Sequence, residues 1–357
     1  MRQDSGVTTT FRYRALPMRV VFGPGRLAEL PAELDDLGLR RALVLSTPGH
    51  RALAERVADL IGDRAAGVHA EAVMHVPAGV ADAAVAAARA AGADCCVAVG
   101  GGSTVGLGKA VALADGLPVV AVPTTYAGSE MTPVWGTTED GVKRTGRDPR
   151  VLPVAVVYDP ELTLSMPPGL SVVSAVNALA HAAEALYAPD GSPVIALMAG
   201  ESARALADGL PRVVRDPADV DGRSDTLYGA WLAGACLGAT TMGLHHKLCH
   251  TLGGALNLPH GPTHTVVLPH VLAFNAAHAP DAMAALSRAV GAPAGRAVRD
   301  MAASLGAPTS LRELGAARDD LPAVAATAAA SPYGNPRPAD ERQIAELLDR
   351  AWSGAEI

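Results

Sequence analysis

Between residues 42 and 158, short runs of Val, Ala, Leu and Cys alternate with longer stretches of helical spacing, and that alternation leaves few folds open. Residues 42–46 (ALVLS), 95–99 (CCVAV), 119–122 and 154–158 read as buried strands. Residues 66–70 and 72–76 are weaker strand candidates, and 11–22 alternate well enough for strands broken at Pro17. Helices are expected near 26–36, 51–61, 80–91 and 104–114. Strands separated by helices in this way predict a parallel sheet covered on both faces. Residues 134–138 and 154–158 are expected to close that sheet, with a basic polar loop, EDGVKRTGRDPR, between them.

After Asp159-Pro160 the alternation stops. Long helical stretches follow at 171–187, 194–208, 223–242, 281–290, 296–305 and 339–352. The change falls near Met166-Pro167-Pro168. A chain of 357 residues is longer than one ordinary core supports, so residues 1–166 are expected to form an α/β nucleotide-binding domain and 167–357 an all-helical one.

Directly after CCVAV stand Gly100, Gly101, Gly102 and Ser103, and then a helix. Glycines let backbone approach a phosphate, and the helix offers free N–H groups and the positive end of its dipole. Thr124, Thr125 and Ser129 follow the next strand and bring hydroxyls to the same sheet edge, where ligands of such sheets bind. The order of glycines is not G-x-G-x-x-G, so this is no ordinary Rossmann fingerprint. At the end of ALVLS only Ser46 and Thr47 are present to meet a ribose. Nothing there repels a 2′-phosphate, so NADPH is acceptable beside NADH.

Residues 243–275 hold six of the eleven histidines, too dense a set for chance surface placement. His246 and His250 are four apart, as are His260 and His264, so each pair shares a helix face. Gly253-Gly254 and Leu258-Pro259 read as a stop, a turn and a restart, and two helices then aim imidazoles at one place. Neutral imidazole is both the commonest metal ligand and an acid/base near pH 7. His245, His270 and His278 read as ordinary core or surface residues. On the 171–187 helix, Asn177 and His181 lie one turn apart, with Glu184 in local hydrogen-bonding range.

Net charge is −7, and Lys109, Lys143 and Lys247 are the only lysines, so no basic stripe can follow a phosphate backbone. Nucleic acid is not an expected partner. The start lacks the apolar core of a signal peptide, and no uninterrupted apolar run spans a bilayer, which favours the cytoplasm and no membrane. Cys95, Cys96, Cys236 and Cys249 have neither zinc-site nor disulfide-framework spacing. Lys143, Arg144 and Arg147 are the densest positive cluster and are candidates to orient an anionic substrate.

Gly100-Gly101-Gly102-Ser103, Thr124-Thr125 with Gly128-Ser129-Glu130, and the histidine stretch, in that order, resemble the landmarks of the iron-containing alcohol dehydrogenase superfamily along nearly the whole chain. The resemblance implies the architecture shared with dehydroquinate synthase: a Rossmann-like α/β domain and a helical domain, with cofactor and substrate in the cleft, commonly as a homodimer. In metal-dependent members an Asp and three His hold a divalent ion, and the matching positions here are Asn177, His181, His246 and His260. An amide thus replaces the only carboxylate, and Gly106 stands where an acidic residue is common. With GVKRTGRDPRVLPVAVVYDPELT, NALAHAAEALY and HHKLCHTLGG, these departures resemble the maleylacetate reductase branch, whose members generally act without a required metal.

That branch implies reduction of the carbon-carbon double bond of maleylacetate to 3-oxoadipate by NADH or NADPH, in aromatic compound catabolism. His250 matches the family's non-ligand histidine and is expected to donate to the enolate oxygen or deliver the proton, with His181 and His246 beside it. Gly100, Gly101, Gly102, Ser103, Thr124, Thr125, Ser129 and Ser46 are the expected cofactor contacts. Asn177, His260, Lys143 and Lys247 are the expected contacts of the dicarboxylate. The alternative is a metal-dependent alcohol dehydrogenase acting on a small alcohol or aldehyde, with His181, His246 and His260 as ligands of zinc or iron.

Overall fold

The computed structural model describes residues 11–139, 142–331 and 333–357, without the side chains of Val142 and Lys143. Its contacts divide it into an α/β unit, Leu16–Met166, and a helical unit holding Pro167–Ile357.

The α/β unit carries strands β1 (Arg19–Phe22), β2 (Ala42–Leu45), β3 (Ala65–His69), β4 (Cys95–Gly100), β5 (Val119–Pro123), β6 (Val134–Glu139), β7 (Val142–Arg147) and β8 (Ala155–Tyr158). Six of them form one sheet in the order β1-β8-β5-β4-β2-β3, every pair parallel. Between them run α1 (Leu30–Asp36), α2 (Arg51–Ile61), α3 (Ala78–Ala90) and α4 (Gly102–Asp115). Every residue of β4 is buried. Cys95, Val97 and Val99 enter one core with Leu30, Leu34, Val57 and Ile61, whereas Cys96 and Ala98 enter the other with Val85, Ala88, Leu107 and Val111. Successive side chains of a strand point to opposite faces, so a continuous apolar run is what a doubly covered strand requires.

Three sequence expectations fail here, the first being that of the strands expected over 11–22 only residues 19–22 form one. Residues 134–138 do not close the sheet: β6 pairs antiparallel with β7 in a separate two-stranded ribbon, and β7 takes up part of the expected basic loop. Strand propensity shows that a segment is extended but not which neighbour pairs with it. Residues 72–76 form no strand either. His75 and Val76 have φ of 67° and 45°, a left-handed conformation costly for a β-branched residue. Thr138 holds it from β6, its N–H donating to Val76 O at 3.1 Å and its hydroxyl to His75 O at 3.0 Å.

The helical unit contains α5 (Pro168–Leu186), α6 (Pro193–Arg215), α7 (Val220–Ala239), α8 (Leu244–Leu256), α9 (His260–Asn275), α10 (Pro280–Val290), α11 (Ala294–Ser304), α12 (Leu321–Ala329) and α13 (Glu341–Ser353). Pro stands in the first turn of α5, α6, α10 and α12, where its missing N–H costs nothing. A capping box between Asp340 and Gln343 starts α13. Leu244, Leu248 and Leu252 of α8 pack with Val267 and Val271 of α9, Val324 and Ala328 of α12, and Ile344 and Leu348 of α13. That leucine row carries α8 through Gly253-Gly254, and the helix ends instead on Asn257 in the left-handed region at φ 52°. α5 is as long and apolar as a membrane span needs, but 78% of that window is buried within the fold. It is a core helix.

Candidate active site

In the α/β unit the end of β4 leads through Gly101, the N-cap, into α4. Gly100 sits at φ 153°, and a Cβ there would lie 2.4 Å from Thr104 Oγ1. Close packing of loop on helix therefore requires glycine. Thr124 N–H donates to Gly100 O at 3.1 Å, joining the β5 end to this turn, and Thr124 Oγ1 is buried without a hydrogen-bond partner. Ser103 and Thr125 are half-buried at the same edge. Ser129 is held from behind, its carbonyl and hydroxyl 2.7 and 3.3 Å from Lys109 Nζ. Ser46 is fully buried and its hydroxyl donates to Thr47 O. At Gly106 a Cβ would meet Val76 Cγ2 at 2.9 Å, so the left-handed Val76 occupies the space that an acidic side chain would need.

In the helical unit α5, α8 and α9 bring six residues together. The ring of His181 on α5 stacks on that of His246 on α8, centroids 5.0 Å apart. His250 lies one turn on from His246, ring to ring 6.0 Å, and stacks with His260 at 6.3 Å. His260 and His264 of α9 are 4.2 Å apart. His250 and His260 are exposed, whereas Asn177, His181, His246 and His264 are buried. Lys247 is half-buried on the intervening turn of α8; Lys143 lies in β7 with its side chain outside the described residues. Arg144 is exposed and paired with Glu139 at 3.0 Å.

Two residues outside the expected set complete this centre. Glu184, fully buried, accepts the backbone N–H groups of Gly243 at 2.9 Å and His245 at 2.8 Å, and its Oε2 lies 2.6 Å from His246 Nδ1. Its carboxylate thus caps the N-terminus of α8, where orphan N–H groups and the helix dipole favour an anion. His245 Nε2 and His264 Nδ1 share a hydrogen bond of 2.9 Å in a deeper layer. Cys249 brings the three ligand atoms to within 4.8 Å of one another. In a hydrogen bond between the two rings one nitrogen holds the proton and the lone pair of the other accepts it, so neither atom is open to a common ion, and this layer is a hydrogen-bonded pair against a thiol.

The chain matches the iron-containing alcohol dehydrogenase family model over residues 17–160 and that family's C-terminal model over 171–352. It is 56% identical to the maleylacetate reductase of Burkholderia cepacia and 55% to that of Sphingobium indicum, covering 96% of this chain and 98% of each relative. The crystal structure of maleylacetate reductase from Agrobacterium tumefaciens superposes with a TM-score of 0.95 at 52% identity, covering 98% of this chain and 99% of that one. The chain belongs to the iron-containing alcohol dehydrogenase family. Within it, its similarity runs to the maleylacetate reductases.

A family named for iron raises the question of whether these residues fit an ion. Asn177 Oδ1, His181 Nδ1 and His246 Nε2 are buried with no hydrogen-bond partner. Amide oxygen and imidazole nitrogen are ligands for a divalent ion, and His246 is backed by a carboxylate as metal-binding histidines are. The donors therefore fit, with the anionic ligand of metal-dependent iron-containing alcohol dehydrogenases replaced by a neutral one. A neutral amide oxygen in place of a carboxylate would hold such an ion more weakly.

Burial, reinforced by one another's charge, pushes His181, His245 and His264 well below the ordinary imidazole range and His246 down to about 3. Burial pushes Glu184 up to about 7 against the pull of its N–H donors. The unfolded chain protonates its histidines near pH 6.5 while the fold refuses those protons, so each ring's contribution is present above pH 6.5 and lost as pH falls. Glu184 runs the other way, its contribution present below its unfolded value and lost as pH rises through 7. Several rings outweigh one carboxylate, and each withheld proton is worth about 1.4 kcal/mol per pH unit. Urea unfolding of EDTA-treated protein should show at least about 2 kcal/mol less stability at pH 5 than at pH 7; a flat profile would mean that these rings are not buried neutral.

Proposed function

We propose that the chain catalyses the NAD(P)H-dependent reduction of the carbon-carbon double bond of maleylacetate to 3-oxoadipate, a step in aromatic compound breakdown, without requiring a metal. The observation that carries this reading is the identity, above 50% along nearly the full length, to proteins named maleylacetate reductase. The histidine centre supports it, since imidazoles surround a position from which the family's carboxylate ligand is gone.

The cofactor's pyrophosphate is bound by the glycine turn and the first N–H groups of α4, with Thr124, Thr125 and Ser103 supplying hydroxyls. When bound, the reduced nicotinamide would supply a hydride from its C4 to the alkene carbon distal to the ketone. Negative charge then develops on the ketone oxygen, and the enolate takes a proton at the carbon next to the carbonyl, so one hydride and one proton are added. A preorganised donor aimed at that oxygen stabilises the transition state. His250 fills this role or delivers the proton, being with His260 one of two exposed rings beside buried ones and therefore accessible to substrate. Asn177 and His260 contact the dicarboxylate, with Lys143 and Lys247 as charged partners. Ser46 donates its hydroxyl to the Thr47 carbonyl, and no carboxylate follows β2 there to discriminate at the ribose 2′-position, which supports use of either NADH or NADPH. Four buried free cysteines suit a reducing cytoplasm.

The fit of Asn177, His181, His246 and His260 to an ion supports a second reading, a metal-dependent alcohol or aldehyde oxidoreductase. A bound ion would polarise the carbonyl oxygen as a Lewis acid. NADH oxidation with maleylacetate, using protein stripped with EDTA and checked for residual metal, separates the two. Turnover in the stripped sample is expected. No turnover, restored by zinc or iron, would put the second reading first.

A further inference from the structure

Among the described residues, the Glu184 carboxylate is met by backbone N–H groups and one imidazole nitrogen. Oε1 accepts from the His245 backbone and Oε2 from Gly243, with the His246 N–H more distant at 3.4 Å, and the fourth neighbour is His246 Nδ1 at 2.6 Å. Backbone N–H groups can only donate, and above about pH 7, where Glu184 is ionised, its carboxylate can only accept. Both oxygens are filled by such donors, so the hydrogen in the short contact belongs to the ring nitrogen. A neutral imidazole carrying hydrogen on Nδ1 bears its lone pair on Nε2. Nε2 of His246 is buried without a hydrogen-bond partner.

We propose that Glu184 is a positioning residue that fixes His246 as a hydrogen-bond acceptor: by capping the first turn of α8 and holding the Nδ1–H, it presents the Nε2 lone pair to the site. This rests on the reductase reading for its consequence, which is a division of labour among the histidines. An acceptor cannot donate to a developing enolate oxygen. His246 instead orients a donor such as a water, and the oxyanion is left to His250. The same lone pair is what an ion would use, so the assignment holds under either reading of the metal.

The tautomer is readable without turnover. In EDTA-treated protein with 15N-labelled histidine, at about pH 8 where Glu184 is ionised, the resonances lost in His246→Gln should be a pyrrole-type Nδ1 and a pyridine-type Nε2. In Glu184→Gln the amide oxygen at the Oε1 position still accepts from the His245 N–H, while the NH2 at the Oε2 position gives up the Gly243 N–H and faces Nδ1, so the two ring nitrogens should exchange type. The kcat should fall about tenfold to a hundredfold, with KM for NADH unchanged. A wild-type His246 protonated on Nε2 overturns the proposal, and so does a Glu184→Gln protein in which the ring keeps its Nδ1–H. Should Glu184→Gln not fold, the wild-type spectrum alone decides. If the tautomer is as stated but maleylacetate is not reduced, the function reading fails and the assignment of Glu184 stands.

Discussion

Replacing His250 by Asn is expected to lower kcat for maleylacetate by about 10²- to 10⁴-fold, the range associated with a positioned acid/base group. His250 is exposed on α8, one turn beyond His246 and stacked with His260. The substitution keeps a polar side chain that donates hydrogen bonds but cannot exchange a proton near neutral pH. Stability should change by no more than about 0.5 kcal/mol, as at other exposed positions. NADH affinity should hold, because the glycine turn belongs to the other unit. Steady-state kinetics with a parallel NADH fluorescence titration would check both. Wild-type turnover in His250→Asn would pass the role to another group, with His181 next in line.

Lys109→Met should take stability rather than chemistry. Lys109 is 1% exposed, and its Nζ donates among four oxygens: Ser129 O and Val134 O at 2.7 Å, Thr132 Oγ1 at 3.0 Å and Ser129 Oγ at 3.3 Å. Burial pushes its pKa down to about 7, and the Glu130 carboxylate pulls it back up. Methionine fills the same volume but leaves these oxygens short of a donor, at about 1–3 kcal/mol for each buried group left unsatisfied. A loss of roughly 3–5 kcal/mol is expected out of a total near 5–15. Because Lys109 ties the turn at Ser129 to the start of β6, NADH affinity should weaken as well. A urea midpoint equal to wild type would sink this account of the lysine.

Local pattern carried the sheet. CCVAV could only be a strand buried on both faces, and the glycine turn after it places a helix N-terminus without ambiguity. Pairing was another matter, since β6 alternates as any strand does, and its partner β7 lay in a segment whose charges suggested a solvated loop. α12 was missed because LPAVAATAA is so rich in alanine that helical periodicity hardly shows. The histidine faces were visible from their four-residue spacing. Glu184 was seen only as a local neighbour on its helix, because it meets residues about 60 positions away and nothing in either segment advertises the contact. Lys109 did leave a signal, a single cation within the apolar run GLGKAVALA, where an unpaired charge would be too costly to bury.

The two adjacent cysteines of β4 have a use that their inertness conceals. Cys95 faces the layer of α1 and α2, and Cys96 the layer of α3 and α4. Both thiols are pushed up by burial, Cys96 to about 12, so neither reacts until its own side of the sheet lifts. Single Cys95→Ala and Cys96→Ala proteins, pulsed with an alkylating reagent, would therefore act as separate clocks for the opening of the two sides, timing each from a label only one residue away from the other.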